Sequence, residues 1–489
     1  MTRPIKPEYF TWLIFSCFLL FPFKRSVELP LLIMTIGGGV LLYKYGRTFL
    51  QEPAVRLFTL LFACIWLPML LSVPDNYDVK KSGSTVLVFI RFYLAGLLII
   101  WAMRKPDQVS LLFKLLAWLT AFWVVDALFQ AAVGQDLFGY TQAASRINGI
   151  FGEEGLKLGN ALPVLAPFLL LALRAKPALM LLAAVLTGAV VVLAGSRGGW
   201  VSFGLVCIWL ILSETRRRDV AFWKVGAVVA LTGLAGAYAV FETPAAKQRL
   251  DKTLLLFSGD EAKIDQALSL RWTLWKDAFA MIDARPVNGV GVRAFRYAYP
   301  EFAQPDDPFV SMNETSGRPT GAFYAHQIIL EVTSETGLIG LVGVVLFYSL
   351  LMRHWRLASQ EQKIRSLPFA MGTLAWVFPF NTHPSFYTAQ WSTLIWLMVA
   401  LLCASLFQRI KRTTLPDRQY IDGAQFWGLY SGTHLVSACL TAVSVWKRSD
   451  PNQSSRSFAN VSIATRAFAT RSLGCGVGNV DSSSASNSS

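Results

Sequence analysis

The sequence predicts an all-α integral membrane protein of about twelve transmembrane helices, with one large extramembrane loop that itself contains helices. Three observations predict this class. Of the 489 residues 54% are hydrophobic and only 15% charged, against about 25% charge in a soluble domain. The apolar residues come in long runs, many near the roughly 20 residues that a bilayer-spanning helix needs. Between the runs sit short clusters of Lys and Arg, the signature of a chain whose topology is set by its basic flanks.

In chain order the apolar runs fall near 9–23, 28–43, 54–73, 84–103, 108–133, 156–173, 177–195, 199–213, 221–241, 327–352, 367–380 and 388–408. Phe21-Pro22-Phe23-Lys24-Arg25 follows the first run without a small-residue cleavage site, so that run reads as a retained span. The stretch Phe426–Trp446 is moderately apolar but carries His434, Ser and Thr, and is left open as a further span. From Ser449 onward the chain is Ser- and Asn-rich, a composition that buries too little to fold.

The net charge is +15, from 45 Lys and Arg against 30 Asp and Glu. In a soluble chain such an excess suggests nucleic acid. Here the basic residues sit on alternate flanks, so topology explains them and no nucleic acid is expected. Alternate flanks carry Arg216-Arg217-Arg218, Arg353 with Arg356, and Arg409 with Lys411 and Arg412, whereas the intervening loops are poorer in basic residues. The bias predicts both termini in the cytoplasm and the long segment 242–326 on the outer side. The expected divisions are spans one to nine over 1–241, the outer loop 242–326, spans ten to twelve over 327–408, and a mostly disordered cytoplasmic tail 409–489.

Six cysteines, Cys17, Cys64, Cys207, Cys403, Cys439 and Cys475, form no CxxC pair, and no cluster has zinc spacing. Neither a disulfide framework nor a metal or other cofactor is expected. Within the outer loop, Ile264, Leu268, Trp272, Trp275, Phe279 and Ile282 recur at helical spacing and predict one amphipathic helix over about 261–283. Pro286, Gly289 and Gly291 end it in a turn, and 301–322, rich in Pro, Asp, Ser and Gly, reads as an irregular loop.

Candidate chemistry lies on the predicted outer side. Arg197, in Ser196-Arg197-Gly198-Gly199 between two spans, either binds an anion bidentately or anchors a tight turn. Arg271, with Trp275 one turn later, starts a basic series that continues through Arg285, Arg293 and Arg296. The series either surrounds a diphosphate or forms a solvated face, and the latter is favoured for Arg285 and Arg296. His326 stands where the chain re-enters the membrane. On a regular helix it shares a face with Leu330, Thr333, Gly337 and Gly340, with Glu331 and Glu335 roughly opposite. Its ordinary pKa suits a general base, and the alternative is a hydrogen-bonded interfacial histidine. Glu331 and Glu335 read as structural polar contacts, and Gly337 and Gly340 as close-packing positions. Arg146 and Lys157 on one outer loop, and His383 on another, are secondary candidates that equally suit turn chemistry.

The ordered set resembles one family. It comprises an Arg146-x-x-Gly149-x-Phe151 loop, Ser196-Arg197-Gly198-Gly199, and Arg271-x-x-x-Trp275 with Pro286-x-x-Gly289-x-Gly291. His326-x-x-x-x-Glu331-x-x-x-Glu335-x-Gly337-x-x-Gly340 completes it. Over about 146–345 this order is similar to the O-antigen ligase/polymerase superfamily, and within it most like the lipopolysaccharide O-antigen ligases. The resemblance implies a GT-C-like glycosyltransferase of the bacterial inner membrane with its active site facing the periplasm. Such an enzyme transfers a glycan from undecaprenyl diphosphate to the lipid A-core oligosaccharide, inverting the anomeric centre without a metal. It also implies a catalytic base at His326 and diphosphate-binding roles for Arg197 and Arg271, with Arg293 and Arg146 beside them. Gln327 stands where relatives often have Asn. An O-antigen polymerase, using a second polyprenyl-linked glycan as acceptor, stays open as the near alternative, and a transporter without chemistry as the distant one. A transporter would more often show internal repeats and mid-membrane charges, and neither is evident.

Overall fold

The computed structural model describes residues 7–23, 25–142, 146–152, 157–218, 251, 254–305, 307–312, 317–381 and 385–408; side chains of Pro7 and Arg216–Arg218 are not described. The ninth apolar run (221–241), Lys24, His383 and the segment 409–489 lie outside these residues. The remaining apolar runs each coincide with a helix: α1 Pro7–Leu19, α2 Glu28–Leu50, α3 Pro53–Leu71, α4 Val79–Ala102, α5 Pro106–Val133, α6 Leu158–Ala172, α7 Pro177–Leu193, α8 Arg197–Arg218, then α12 Ile328–Leu357, α13 Gln360–Val377 and α14 Ala389–Leu406. Between them come α9 Glu261–Leu268, α10 Arg271–Ala284 and α11 Phe295–Phe302. Among the described residues seven helices, α2, α3, α4, α5, α8, α12 and α14, are long and apolar enough to cross a membrane.

Helix starts follow local chemistry. Pro53, Pro106 and Pro177 begin α3, α5 and α7, where a missing N–H costs nothing. The Asp78 carboxylate accepts from Lys81 N at 2.8 Å to cap α4, and Ser359 and Gln362 form a capping box at α13. Burial sorts the helices into layers. The apolar window of α14 is 89% buried, that of α2 only 28%. A helix apolar all round belongs inside, so α14 is the central post, and α2 turns its exposed Leu32, Ile36 and Val40 outward. Trp396 of α14 is ringed by Phe62 (4.9 Å between centroids), Phe58, Phe89 and Phe347, which ties α3, α4 and α12 to the post. A second wall forms where α6 packs on α5, α8 and α13.

The extramembrane lobe departs from two expectations. Instead of one helix over 261–283, the chain breaks at Ser269 and Leu270, both left-handed at φ 58° and 61°. The break has local and distant causes. The Asp265 carboxylate accepts from Trp272 N (2.8 Å) and Thr273 Oγ1 (2.6 Å), which starts α10 afresh. Arg197 then takes the Ala267 carbonyl at 2.6 Å, consuming a carbonyl at the end of α9. Within 301–322, which read as irregular, Ser311–Met312 pairs antiparallel with Pro319–Thr320. The lobe has its own apolar centre, formed by Leu274, Ala278, Met281, Phe295, Tyr299 and Ala325.

Candidate active site

The loops at one end of the bundle converge. The α5–α6 loop is fixed by two polar residues inside the otherwise apolar α5. Gln130 Oε1 accepts from Asn148 N and Gly149 N, each at 2.8 Å, and Asp126 Oδ2 accepts from Ile150 N at 2.7 Å. Phe151 packs edge-on against Trp123 at 4.9 Å. These contacts hold the segment that carries Arg146. Lys157 sits at the start of α6, its carbonyl accepting from Ala161 N at 2.9 Å.

One helix pair further, Ser196 Oγ donates to Asn160 Oδ1 (2.6 Å) and accepts from Gly199 N (3.2 Å), which seats the α7–α8 turn on the start of α6. Arg197 is therefore the first residue of α8. Its guanidinium donates to Ala267 O and, at 3.2 Å, to Ser269 Oγ, and it lies within electrostatic reach of Arg146. Arg271 opens α10 just past that break. Burial, and then the neighbouring Arg197 cation, press its pKa below the ordinary arginine value, against the opposing pull of Tyr324. Trp275 donates its indole N–H to Ala325 O at 3.0 Å, so it serves here as a strut holding the segment next to His326.

His326 is not part of the helix. Its φ is +52°, and α12 begins only at Ile328, so the shared face with Leu330, Thr333, Gly337 and Gly340 does not exist. The reason is Gln327. Its side chain accepts from Leu330 N at 2.6 Å as the cap of α12 and donates to Pro379 O at 2.9 Å, fixing the helix start against the α13–α14 loop. The His326 ring lies over Tyr324, 4.2 Å between centroids. Glu331, fully buried, accepts from Ser385 Oγ and from Phe386 N (3.1 Å), tying α12 to the same loop; His383 lies outside the described residues.

A second break interrupts α12 at Gly337, φ +65° and ψ −164°. The turn after α10 fills it: Val290 N and Gly291 N donate to Ser334 O and Glu335 O at 2.8 and 2.9 Å, and Leu338 N donates to Pro286 O at 2.8 Å. The backbones approach so closely that a Cβ on Gly337 would lie 2.0 Å from Val287 O, and one on Gly289 2.5 Å from the Glu335 carbonyl carbon. Gly340 is buried one turn on. The turn ends at Arg293, itself left-handed at φ +61°, whose N–H donates to the fully buried Glu335 carboxylate at 2.6 Å. One guanidinium nitrogen of Arg293 is buried without a hydrogen-bond partner.

Arg285 and Arg296 are directed elsewhere. Arg285 pairs with Asp75 at 2.7 Å and covers Tyr77; Arg296 stacks on Phe323 at 4.5 Å. By contrast Arg146, Arg197, Arg271 and Arg293 make no ion pair among the described residues. Arg146, Arg197 and Arg271 act on one another in sequence, Arg271 and Arg293 both act on Tyr324, and Tyr324 touches His326. The structure thus connects Arg146, Arg197, Arg271 and Arg293 with one another and, through Tyr324, with the histidine. Such a group can hold a multiply charged anion next to a base. Sequence reasoning missed Tyr324, which no motif marks. It also missed Asp126 and Gln130, whose signal was visible: two polar residues four apart in an apolar run.

No curated protein matches the chain. A family model described as O-antigen ligase does, across the span that supplies Arg197, Arg271, Arg293 and His326. Over residues 182–345 the chain is similar to the O-antigen ligase family.

Proposed function

We propose that this protein joins O-antigen glycan, carried on undecaprenyl diphosphate, to the lipid A-core oligosaccharide at the periplasmic face of the bacterial inner membrane. The observation that carries the reading is the set of arginines that form no ion pair among the described residues and that Tyr324 connects to His326. No carboxylate acts on Arg197 or Arg271 among the described residues, whereas Arg293 lies in the fields of the buried Glu331 and Glu335; a lipid diphosphate is the anion that a membrane-surface site would meet.

In this reading Arg197, Arg271 and Arg293 hold the diphosphate, and Arg146 adds to the field. His326 takes the proton of the acceptor hydroxyl as its oxygen attacks the anomeric carbon. The bond from that carbon to the diphosphate oxygen breaks, and undecaprenyl diphosphate leaves with the electron pair. A single displacement inverts the anomeric centre. The guanidinium groups stabilise the charge growing on the leaving oxygen, and their fixed positions spare reorganisation in the transition state. Lys157 and His383 are secondary candidates for contacts at the rim. The acceptor meets the site from the aqueous side and the donor from the lipid side, which requires the converging loops to face the periplasm.

The test is reconstitution of the full chain in liposomes with a polyprenyl-diphosphate glycan and, separately, lipid A-core or a second polyprenyl-linked glycan. A joined lipid A-core product is expected. Product formed only with the second polyprenyl-linked glycan makes the protein a polymerase. No product with either acceptor, from folded protein, removes the transferase reading.

A further inference from the structure

Tyr324 stands at the point where the separate parts of the site meet. Its neighbours along the chain are pinned: the Ala325 carbonyl by the Trp275 indole at 3.0 Å, and Phe323 beneath the Arg296 guanidinium at 4.5 Å. Ala325 is fully buried in the apolar centre of the lobe. The Tyr324 ring is thereby turned to the other side, onto His326, with 4.2 Å between ring centroids. There Tyr324 lies in the fields of Arg271 and Arg293 together with that of Glu331.

The hydroxyl is unlike those of the other enclosed tyrosines. Tyr299 donates to Asp307 at 3.1 Å, Tyr93 meets Thr59 at 2.9 Å, Tyr387 meets Thr336 at 3.3 Å, and Tyr348 donates to the Val377 carbonyl. Among the described residues Tyr324 has no such partner. Tyr324 is half-buried, and a phenol that makes no hydrogen bond among the described residues, in the fields of two arginines, has its donor open to a ligand that approaches them.

We infer that the Tyr324 hydroxyl is a further substrate-binding group: a neutral hydrogen-bond donor to a diphosphate oxygen of the donor lipid, within the fields of Arg271 and Arg293. The inference rests on the diphosphate reading of the arginines and adds a contact to it. Burial first, and then Glu331, push the phenol up to about 12, against Arg293 and Arg271, so it stays protonated and keeps its donor at any working pH. Its ring has a separate duty, to limit the rotation of the His326 imidazole.

The experiment uses the detergent-solubilised full chain and measures binding of undecaprenyl diphosphate to wild type, Tyr324→Phe, Tyr324→Leu and Arg271→Ala, with the melting temperature of each. Tyr324→Phe keeps the ring and loses only the donor. It should bind about 10–100-fold more weakly, as expected for a hydrogen bond to a charged group, with an unchanged melting temperature. The pH profile of its turnover should be lowered without being displaced. Wild-type binding by Tyr324→Phe, with Arg271→Ala weakened, overturns the inference and leaves the diphosphate reading standing; Tyr324 then only packs on His326. Unchanged binding in Tyr324→Phe and Arg271→Ala alike removes both.

Discussion

Arginines at the two ends of the helix bundle are satisfied in different ways. At the end away from the converging loops, Arg104 meets Glu52 at 2.5 Å, and Arg174 meets Glu214 with both side chains nearly buried. At the loop end, Arg197 is held by a carbonyl and a hydroxyl, and Arg146, Arg271 and Arg293 lack ion pairs among the described residues. A cation closed by a carboxylate has little field left for a ligand. One held by neutral oxygens is positioned but keeps its charge. On the proposed reading, the difference separates arginines that hold the bundle together from arginines that bind the donor's diphosphate. It also accounts for the cost of the open set, since clustered like charges persist only where structure enforces them.

The largest effect expected from this division is at His326, the group that Tyr324 connects to Arg271 and Arg293. His326→Ala should lower turnover by about 10²–10⁴-fold, the usual contribution of a positioned base, while donor binding and melting temperature stay near wild type. A variant retaining more than about a tenth of wild-type turnover per folded molecule returns His326 to an interfacial, structural role.

Next come the open arginines. Arg271→Ala should cost about 10–100-fold in donor binding, since it removes a charge-assisted contact. Arg271→Lys should recover only part of this, because a point charge does not replace a planar fork. Arg197→Ala carries a second consequence. Its guanidinium caps the break between α9 and α10, so loss of transfer should be accompanied by loosening at Ala267–Leu270, read as faster amide hydrogen exchange there. Loss of transfer without any change in exchange would mean that the strut is dispensable.

The same contrast shows what a sequence can disclose. The helices of the bundle were legible because run length and apolarity are local properties: each described run is a helix, and seven of the described helices are long and apolar enough to cross a membrane. Arg197 stood out as a candidate as well, since an arginine in a short turn between apolar runs contrasts with its background. The two helix breaks were not legible. Heptad-like spacing runs straight through Ser269 and Leu270, and only Arg197, some 70 residues earlier, takes the carbonyl whose loss ends α9. Likewise the spacing from His326 to Gly340 reads as one helix face. The cap made by Gln327 depends on Pro379, and the break at Gly337 depends on the 286–293 turn. Position within the site is therefore set by backbone groups far apart in sequence. No local pattern encodes those pairings.

At the closed end the expected effect is on stability. Arg174→Ala takes the Arg174 guanidinium away from the enclosed Glu214 carboxylate, and breaking a buried pair costs up to about 3–5 kcal/mol. A lower melting temperature is expected, with turnover per folded molecule unchanged. The double variant Arg174→Ala with Glu214→Gln should regain most of the loss. Turnover falling in proportion to donor affinity in Arg174→Ala would show that the closed arginines also feed the site, and the division between the ends would fail.

The smallest effect is the most discriminating, because it falls inside the loop end itself. Arg285 precedes Arg293 by eight residues and lies on the same turn, so a model in which general positive charge draws the donor gives it a share of binding. The paired model gives it none. Its guanidinium meets Asp75 at 2.7 Å and lies over Tyr77, and both members of the pair are well exposed, at 39% and 67%. Exposed pairs contribute about 0–1 kcal/mol to stability, so Arg285→Ala should barely shift the melting temperature. Turnover and donor binding should stay within about twofold of wild type, since a loss under roughly 0.4 kcal/mol is a factor of two. Asp75→Asn is the complementary variant. It frees the Arg285 charge without moving the turn, and binding should again hold. A tenfold change in donor affinity in either variant, at constant ionic strength, would show that net charge on the lobe, and not the absence of a carboxylate partner, selects the arginines that bind.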